Sequence, residues 1–163
     1  MTQPHRIWSL AQEIVDKVGA EGLILAAAES CTGGMVAAAI TDVPGASAVF
    51  DRGFVTYSNE AKKDLLGVRP ETIARSGAVS QSVAREMARG ALANSMADIS
   101  IATTGIAGPG GGSERKPVGL VWFALATRAG LVRTERRVFG SGDRNFVRLR
   151  ATETALMLTL RAI

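Results

Sequence analysis

One stretch constrains this chain more than any other, Leu23 to Ala37, which reads L-I-L-A-A-A-E-S-C-T-G-G-M-V-A. An apolar run from Leu23 to Ala28 stops at Glu29-Ser30-Cys31-Thr32, two glycines follow, and small apolar residues continue to Ile40. A short apolar run closed by turn residues reads as a buried strand, and Ser or Thr ahead of a small-residue segment reads as a helix start. The stretch therefore predicts strand, tight turn, helix. The turn carries a serine and a thiol where the first helix amides lack internal partners and the dipole is positive. Gly33 and Gly34 let another group approach that backbone closely. This suits a nucleophile beside an oxyanion or phosphate site. It equally suits a plain capped turn with glycine for packing.

The rest of the chain alternates. Residues 5–18 place Ile7, Leu10, Ala11, Ile14, Val15 and Val18 at helical spacing, ended by Gly19 or Gly22. The helix after Gly33 runs to about Thr41, where Asp42-Val43-Pro44-Gly45 breaks it. Val49 to Ser58 has strand character, and Ser58 or Asn59 caps a short helix to Leu66. Pro70 to Arg75 is a further short helix, and Ser80 caps a stronger one. Ile99 to Thr104 is a second buried strand, running into the glycine-rich loop Gly105–Ser113. Val118–Thr127 and Leu131–Phe139 flank Arg128-Ala129-Gly130 as a hairpin. Ser141-Gly142-Asp143 caps a last helix from Arg144 to about Arg161. Strands alternating with helices predict βαβ units, and the hairpin makes the sheet mixed. At 163 residues, without a linker or repeat, one domain over 1–163 is expected.

Composition removes mechanisms. There is one histidine, His5, in an N-terminus expected to fray, so a Ser-His-Asp or Cys-His device is not expected. One His and one Cys without paired spacing argue against a zinc site. A hydrolytic serine here must find another base. The single cysteine forbids an internal disulfide, and neither a signal peptide nor a spanning segment is visible. A cytoplasmic protein without a membrane partner is expected. The net charge of +4 leaves room for nucleic acid, but the 5% of aromatic residues do not interleave with the basic ones, so that partner is not expected.

Ligands of open α/β sheets bind beyond the carboxyl ends of the parallel strands. Three unusual stretches follow strand ends, at 29–34, 57–63 and 103–113. A serine nucleophile could use a lysine whose pKa burial lowers. Tyr57 and Lys62, five apart, could face the same cleft, while Lys63 points about a quarter turn away. The glycine loop lacks the Walker ending and G-x-G-x-x-G, so it reads as an anion cradle or a lid. Arg144 in the first turn of a helix opposes the dipole, which suggests an anion between the two.

E-S-C-T-G-G at 29–34, G-F-V-T-Y-S-N-E-A-K at 53–62, G-A-V-S at 77–80, T-G-I-A-G-P-G-G-G at 104–112, K-P-V-G at 116–119 and S-G-D-R at 141–144 together resemble the CinA C-terminal domain family. The resemblance runs in order along nearly the whole chain. It implies a three-layer α/β/α sandwich with a mixed, mostly parallel sheet. It also implies hydrolysis of nicotinamide mononucleotide to nicotinate mononucleotide and ammonia, without cofactor or metal. The family's serine falls on Ser30, its lysine on Lys62 and its tyrosine on Tyr57. Its strand-end hydroxyl falls on Thr104, next to Gly105, and its S-G-D-R arginine on Arg144. On this reading Ser30 attacks the carboxamide, Lys62 takes the proton with Tyr57 in the relay, and Thr32 lies in the substrate turn. Amides near Gly33 and Gly34 hold the oxyanion, and Arg144 with the glycine loop holds the 5′-phosphate. A homo-oligomer, taken as a dimer, is expected. The alternative is a non-catalytic nucleotide-binding or DNA-damage-associated module, because relatives carry competence- or damage-inducible names.

Overall fold

The structure is a computed structural model that describes residues 3–140 and 142–163. Ser141, expected to help cap the last helix, lies outside the described residues. The strands are β1 (Leu25–Glu29), β2 (Phe50–Val55), β3 (Ile99–Gly105), β4 (Leu120–Thr127) and β5 (Val132–Val138), and the sheet order is β2-β1-β3-β4-β5. β1 pairs in parallel with both β2 and β3, whereas β4 runs antiparallel to β3 and to β5. Four of the five strands thus point the same way, and the sheet is mixed, as the hairpin predicted.

The helices are α1 (Gln3–Ala20), α2 (Met35–Thr41), α3 (Asn59–Leu66), α4 (Pro70–Ser76), α5 (Gln81–Ala93) and α6 (Arg144–Leu160). Alternate strand residues face opposite sides of the sheet, and here the two sides differ in bulk. Leu25, Ile99, Ile101, Val121, Phe123 and Leu125 pack with Ile14 and Val18 of α1, Val36 and Ile40 of α2, and Val147, Ala151 and Ala155 of α6. Ala26, Ala28, Ala102, Ala124 and Ala126 pack with Val83, Met87 and Ala91 of α5 and with Leu66. An alanine-faced sheet lets α5 come close. Gly90 of α5 continues that economy of space, because a Cβ there would lie 1.9 Å from the Leu66 carbonyl oxygen. The result is the three-layer α/β/α arrangement.

His5 sits inside α1, exposed, rather than in a frayed tail. Two caps follow the sequence signals. Ser58 Oγ accepts from the Ala61 amide at the start of α3, and Ser80 Oγ from the Val83 amide at the start of α5. The cap of α2 does not. Its N-cap is Gly34, with φ 97° and no capping side chain of its own. The amides of Gly34, Val36 and Ala37 donate instead to the Glu29 carboxylate, at 3.0, 3.0 and 2.8 Å. Glu29 is fully buried at the end of β1. A carboxylate at a helix start satisfies orphan amides and complements the dipole.

Candidate active site

The ends of β1, β2 and β3 open on one cleft of about 290 Å³, lined among others by Ser30, Cys31, Tyr57, Asn59, Lys62, Thr104, Gly105, Gly108 and Arg144. A second hollow of about 320 Å³ lies at Phe123, Arg133, Glu135, Leu158 and Arg161, but it holds none of the site residues expected from the sequence. The first cleft is where the chemistry-bearing residues meet.

Ser30 follows β1 directly, and its amide donates to the Thr103 carbonyl at 3.0 Å, which ties the turn to β3. Lys62 lies in the first turn of α3, which Ser58 caps, and its side chain runs back under the end of β2. Its ammonium nitrogen donates to Ser30 Oγ at 3.0 Å and to the Thr56 carbonyl at 2.7 Å. Lys62 is 1% exposed, and no carboxylate pairs with it among the described residues. Desolvation disfavours its charged form and lowers its pKa from 10.5 to about 8. Lys63, one residue on, is partly exposed and pairs with Glu60 at 2.6 Å. A buried lysine depressed toward neutrality and in contact with a serine hydroxyl is the pairing that activates a serine without histidine.

Cys31 also lines the cleft but is 4% exposed. Burial, its largest influence, pushes its thiol up to about 12. At neutral pH it is a protonated thiol, a poor nucleophile.

Other expected site residues are placed differently from the sequence reading. Tyr57 lines the cleft, yet it is 61% exposed and its hydroxyl accepts from Arg144 Nη2. It makes no bond to Ser30 or Lys62, which touch each other directly. Gly33 and Gly34 do not offer free amides. The Gly33 amide donates to the Ser30 carbonyl at 3.1 Å, and that of Gly34 is held by Glu29. The Thr32 hydroxyl is buried against that of Thr103 at 2.8 Å. Thr104 donates to the Ala78 carbonyl at 2.9 Å, fixing the floor of the cleft. Gly105 is closely packed, since a Cβ there would meet Val121 at 2.6 Å.

Arg144 reaches from the start of α6 across the cleft mouth, bonding the Gly108 carbonyl at 2.8 Å and the Tyr57 hydroxyl. The anion at the start of α6 is Asp143, whose carboxylate accepts from the Phe146 amide at 2.7 Å. The glycine loop is strapped down at its base. The Ile106 amide donates to the Leu120 carbonyl and the Gly119 amide to the Ile106 carbonyl, both at 2.8 Å, and Lys116 Nζ donates to the Ser76 carbonyl at 2.6 Å.

Sequence reasoning missed three groups. Thr56 offers only its carbonyl, which no side-chain pattern announces. Glu29 had a signal, being the one charge ending an otherwise apolar strand just ahead of orphan amides. Arg148 is one helical turn after Arg144 and so shares its face.

A model of the CinA C-terminal domain matches residues 8–163. The chain is 55% identical over 150 residues to nicotinamide-nucleotide amidohydrolase PncC of Escherichia coli strain K12, covering 92% of this chain and 90% of that one. It is 52% identical over 156 residues to PncC of Enterobacter agglomerans, covering 96% and 94%. A putative competence-damage inducible protein of Caldicellulosiruptor saccharolyticus is 51% identical over 155 residues, which span 95% of this chain and 37% of that protein. Among solved structures, competence/damage inducible protein CihA from Agrobacterium tumefaciens superposes with a TM-score of 0.94 at 49% identity, covering 96% and 94%. A CinA superfamily protein from Escherichia coli gives 0.92 at 38%, covering 96% and 90%.

Proposed function

We propose that this chain, which belongs to the CinA C-terminal domain family, is an amidohydrolase that converts nicotinamide mononucleotide to nicotinate mononucleotide and ammonia by a serine–lysine mechanism. The name of the PncC relatives, nicotinamide-nucleotide amidohydrolase, supports the substrate. The observation that carries the mechanism is the contact between a buried lysine and Ser30 at the bottom of the cleft.

In the proposed sequence, neutral Lys62 accepts the proton of Ser30 Oγ as that oxygen attacks the carboxamide carbon. The tetrahedral oxyanion needs donors that are not already engaged. The Cys31 amide, in the residue following the nucleophile, pairs with no backbone or side-chain oxygen among the described residues, and Cys31 lines the cleft. Collapse expels the amine, which takes its proton from the Lys62 ammonium and leaves as ammonia. Water then attacks the acyl-serine, with Lys62 accepting its proton, and Lys62 returns that proton to Ser30 Oγ as the C–Oγ bond breaks and the acid departs. Thr56 holds Lys62 Nζ in place throughout.

Arg144 and the glycine-rich loop beside it are assigned to the 5′-phosphate. Arg144→Ala is expected to weaken binding of the mononucleotide about ten- to a hundredfold, because a charge-assisted bond to phosphate is worth roughly 1.5–3 kcal/mol. The nucleoside, which lacks the phosphate, should lose far less. Steady-state KM on both substrates checks this, and an equal loss on both removes the phosphate assignment.

The direct test of the function is ammonia release by the purified protein supplied with nicotinamide mononucleotide. Stoichiometric ammonia and nicotinate mononucleotide are expected. Binding of the nucleotide without release identifies a binding module instead.

A further inference from the structure

The ring of nicotinamide mononucleotide is a pyridinium, a flat cation. Its carboxamide must reach Ser30 while its 5′-phosphate reaches Arg144. Among the described residues that line the cleft none is an aspartate or glutamate, and two are basic, Lys62 and Arg144. Glu29, the carboxylate next to Ser30 in the chain, is held by three amides of the following turn and helix. The carbonyls of the cleft residues Ala78 and Gly108 already accept from Thr104 and Arg144. A cationic ring therefore meets no counter-ion among these residues. What the cleft does offer is an aromatic surface. Tyr57 is the chain's one tyrosine, and among the described residues it is the one aromatic side chain lining the cleft.

We propose that the ring of Tyr57 binds the pyridinium through its π face and so selects a positively charged aromatic amide over a neutral one. This rests on the amidohydrolase reading above and deepens it. The face of an aromatic ring is the negative side of its quadrupole and attracts cations. The position of Tyr57 suits such a contact. It follows Thr56, whose carbonyl holds Lys62 Nζ, and its hydroxyl accepts from Arg144. It thus joins the reacting end of the cleft to the end assigned to the phosphate, and the pyridinium lies between those ends in the substrate. Tyr57 is 61% exposed, so its ring is not consumed by packing. The bond from Arg144 restrains the ring beforehand, which leaves less side-chain freedom to lose on binding. Lys62 supplies a reason for an aromatic ring in place of a carboxylate. A carboxylate beside it would favour the ammonium form and raise a pKa that burial has lowered to about 8. A neutral π face holds the cationic ring without charging the base.

The experiment compares nicotinamide mononucleotide with its dihydro form, whose ring is uncharged while carboxamide, ribose and phosphate are unchanged. Calorimetry gives Kd for both in Ser30→Ala, alone and combined with Tyr57→Phe, Tyr57→Trp or Tyr57→Leu, alongside thermal unfolding. With Tyr57 present the charged ring should bind roughly three- to thirtyfold more tightly, the range of a cation over an aromatic face. Tyr57→Phe and Tyr57→Trp keep a face and should keep the preference. Tyr57→Leu should bring the two affinities within about twofold, through loss on the charged ring alone. Equal affinity for the two rings with Tyr57 present overturns the proposal, and so does a preference that survives in folded Tyr57→Leu. An equal loss on both rings also overturns it, since that marks ordinary packing. A loss in Tyr57→Phe as large as in Tyr57→Leu does the same by placing the effect in the hydroxyl. If Tyr57→Leu does not fold, Tyr57→Trp decides, and a preference weaker than that of Tyr57 overturns the proposal, because indole offers the stronger face. Ammonia release by the parent is measured separately. Release without a ring preference removes this role of Tyr57 alone, whereas a ring preference without release removes the amidohydrolase reading. If Ser30→Ala itself turns over, the serine reading fails, and the preference is read from KM and from inhibition by the dihydro form.

Discussion

Ser30→Ala is expected to lose several powers of ten in turnover of nicotinamide mononucleotide, as deletions of other catalytic nucleophiles do, whereas Cys31→Ala keeps most of it. The two residues are adjacent and both line the cleft, so the comparison isolates the choice of nucleophile. Cys31 has the intrinsically better attacking atom, but burial raises its thiol to about 12. The hydroxyl of Ser30, not that thiol, receives the hydrogen bond of Lys62 Nζ. A protonated thiol among apolar neighbours behaves as a small hydrophobe. Its removal should therefore cost only about 1 kcal/mol of packing. Initial rates and thermal unfolding on the two variants separate the cases. Thiol-alkylating reagents should act slowly on the parent, and inactivation should accompany unfolding. A dead Cys31→Ala beside an active Ser30→Ala would make this a thiol amidase.

The elements read most easily from the sequence are those whose signal is local. The apolar runs at 23–28 and 99–104 and the hairpin around Gly130 appear as strands, and Ser58 and Ser80 cap the helices that follow them. The turn after β1 shows where local reading stops. Thr32 and the two glycines look like a helix start with amides to spare, yet the amides of Gly34, Val36 and Ala37 bind a carboxylate from the preceding strand. Spacing along the chain cannot tell whether a glutamate at a strand end folds back over the helix or faces water. Tyr57 is a related case. Its position five residues before Lys62 does bring both to the same cleft, but the direction of its hydroxyl depends on Arg144, 87 residues away. Arg148 reads as one more basic residue on a surface helix, because only the packing of α6 against the turn gives its guanidinium two carbonyls to hold. Side chain-to-backbone bonds between distant segments carry the finer organisation of this site, and such bonds leave little trace in residue patterns.

Lys62→Met should abolish turnover with the fold intact, and Lys63→Met should leave it close to parental. Methionine keeps most of the length and the apolar stem of lysine, so it fills the same buried channel and relieves the desolvation of an ammonium. It cannot take a proton from Ser30. Lys63 differs by one position, but its charge pairs with Glu60 near the surface, where such pairs contribute little. The pH dependence gives an independent check on the same residue. A base must be neutral before it can act, and burial favours the neutral form by lowering the pKa of Lys62 to about 8. Below that value the active fraction falls about tenfold per pH unit, so kcat/KM should rise with pH and level off above roughly 8. Deprotonation increases activity here, the reverse of what a general acid required in its protonated form would give. An unshifted lysine would place the same rise near 10.4. A profile flat from pH 6 to 10, or equal damage from the two methionine substitutions, removes Lys62 from the mechanism.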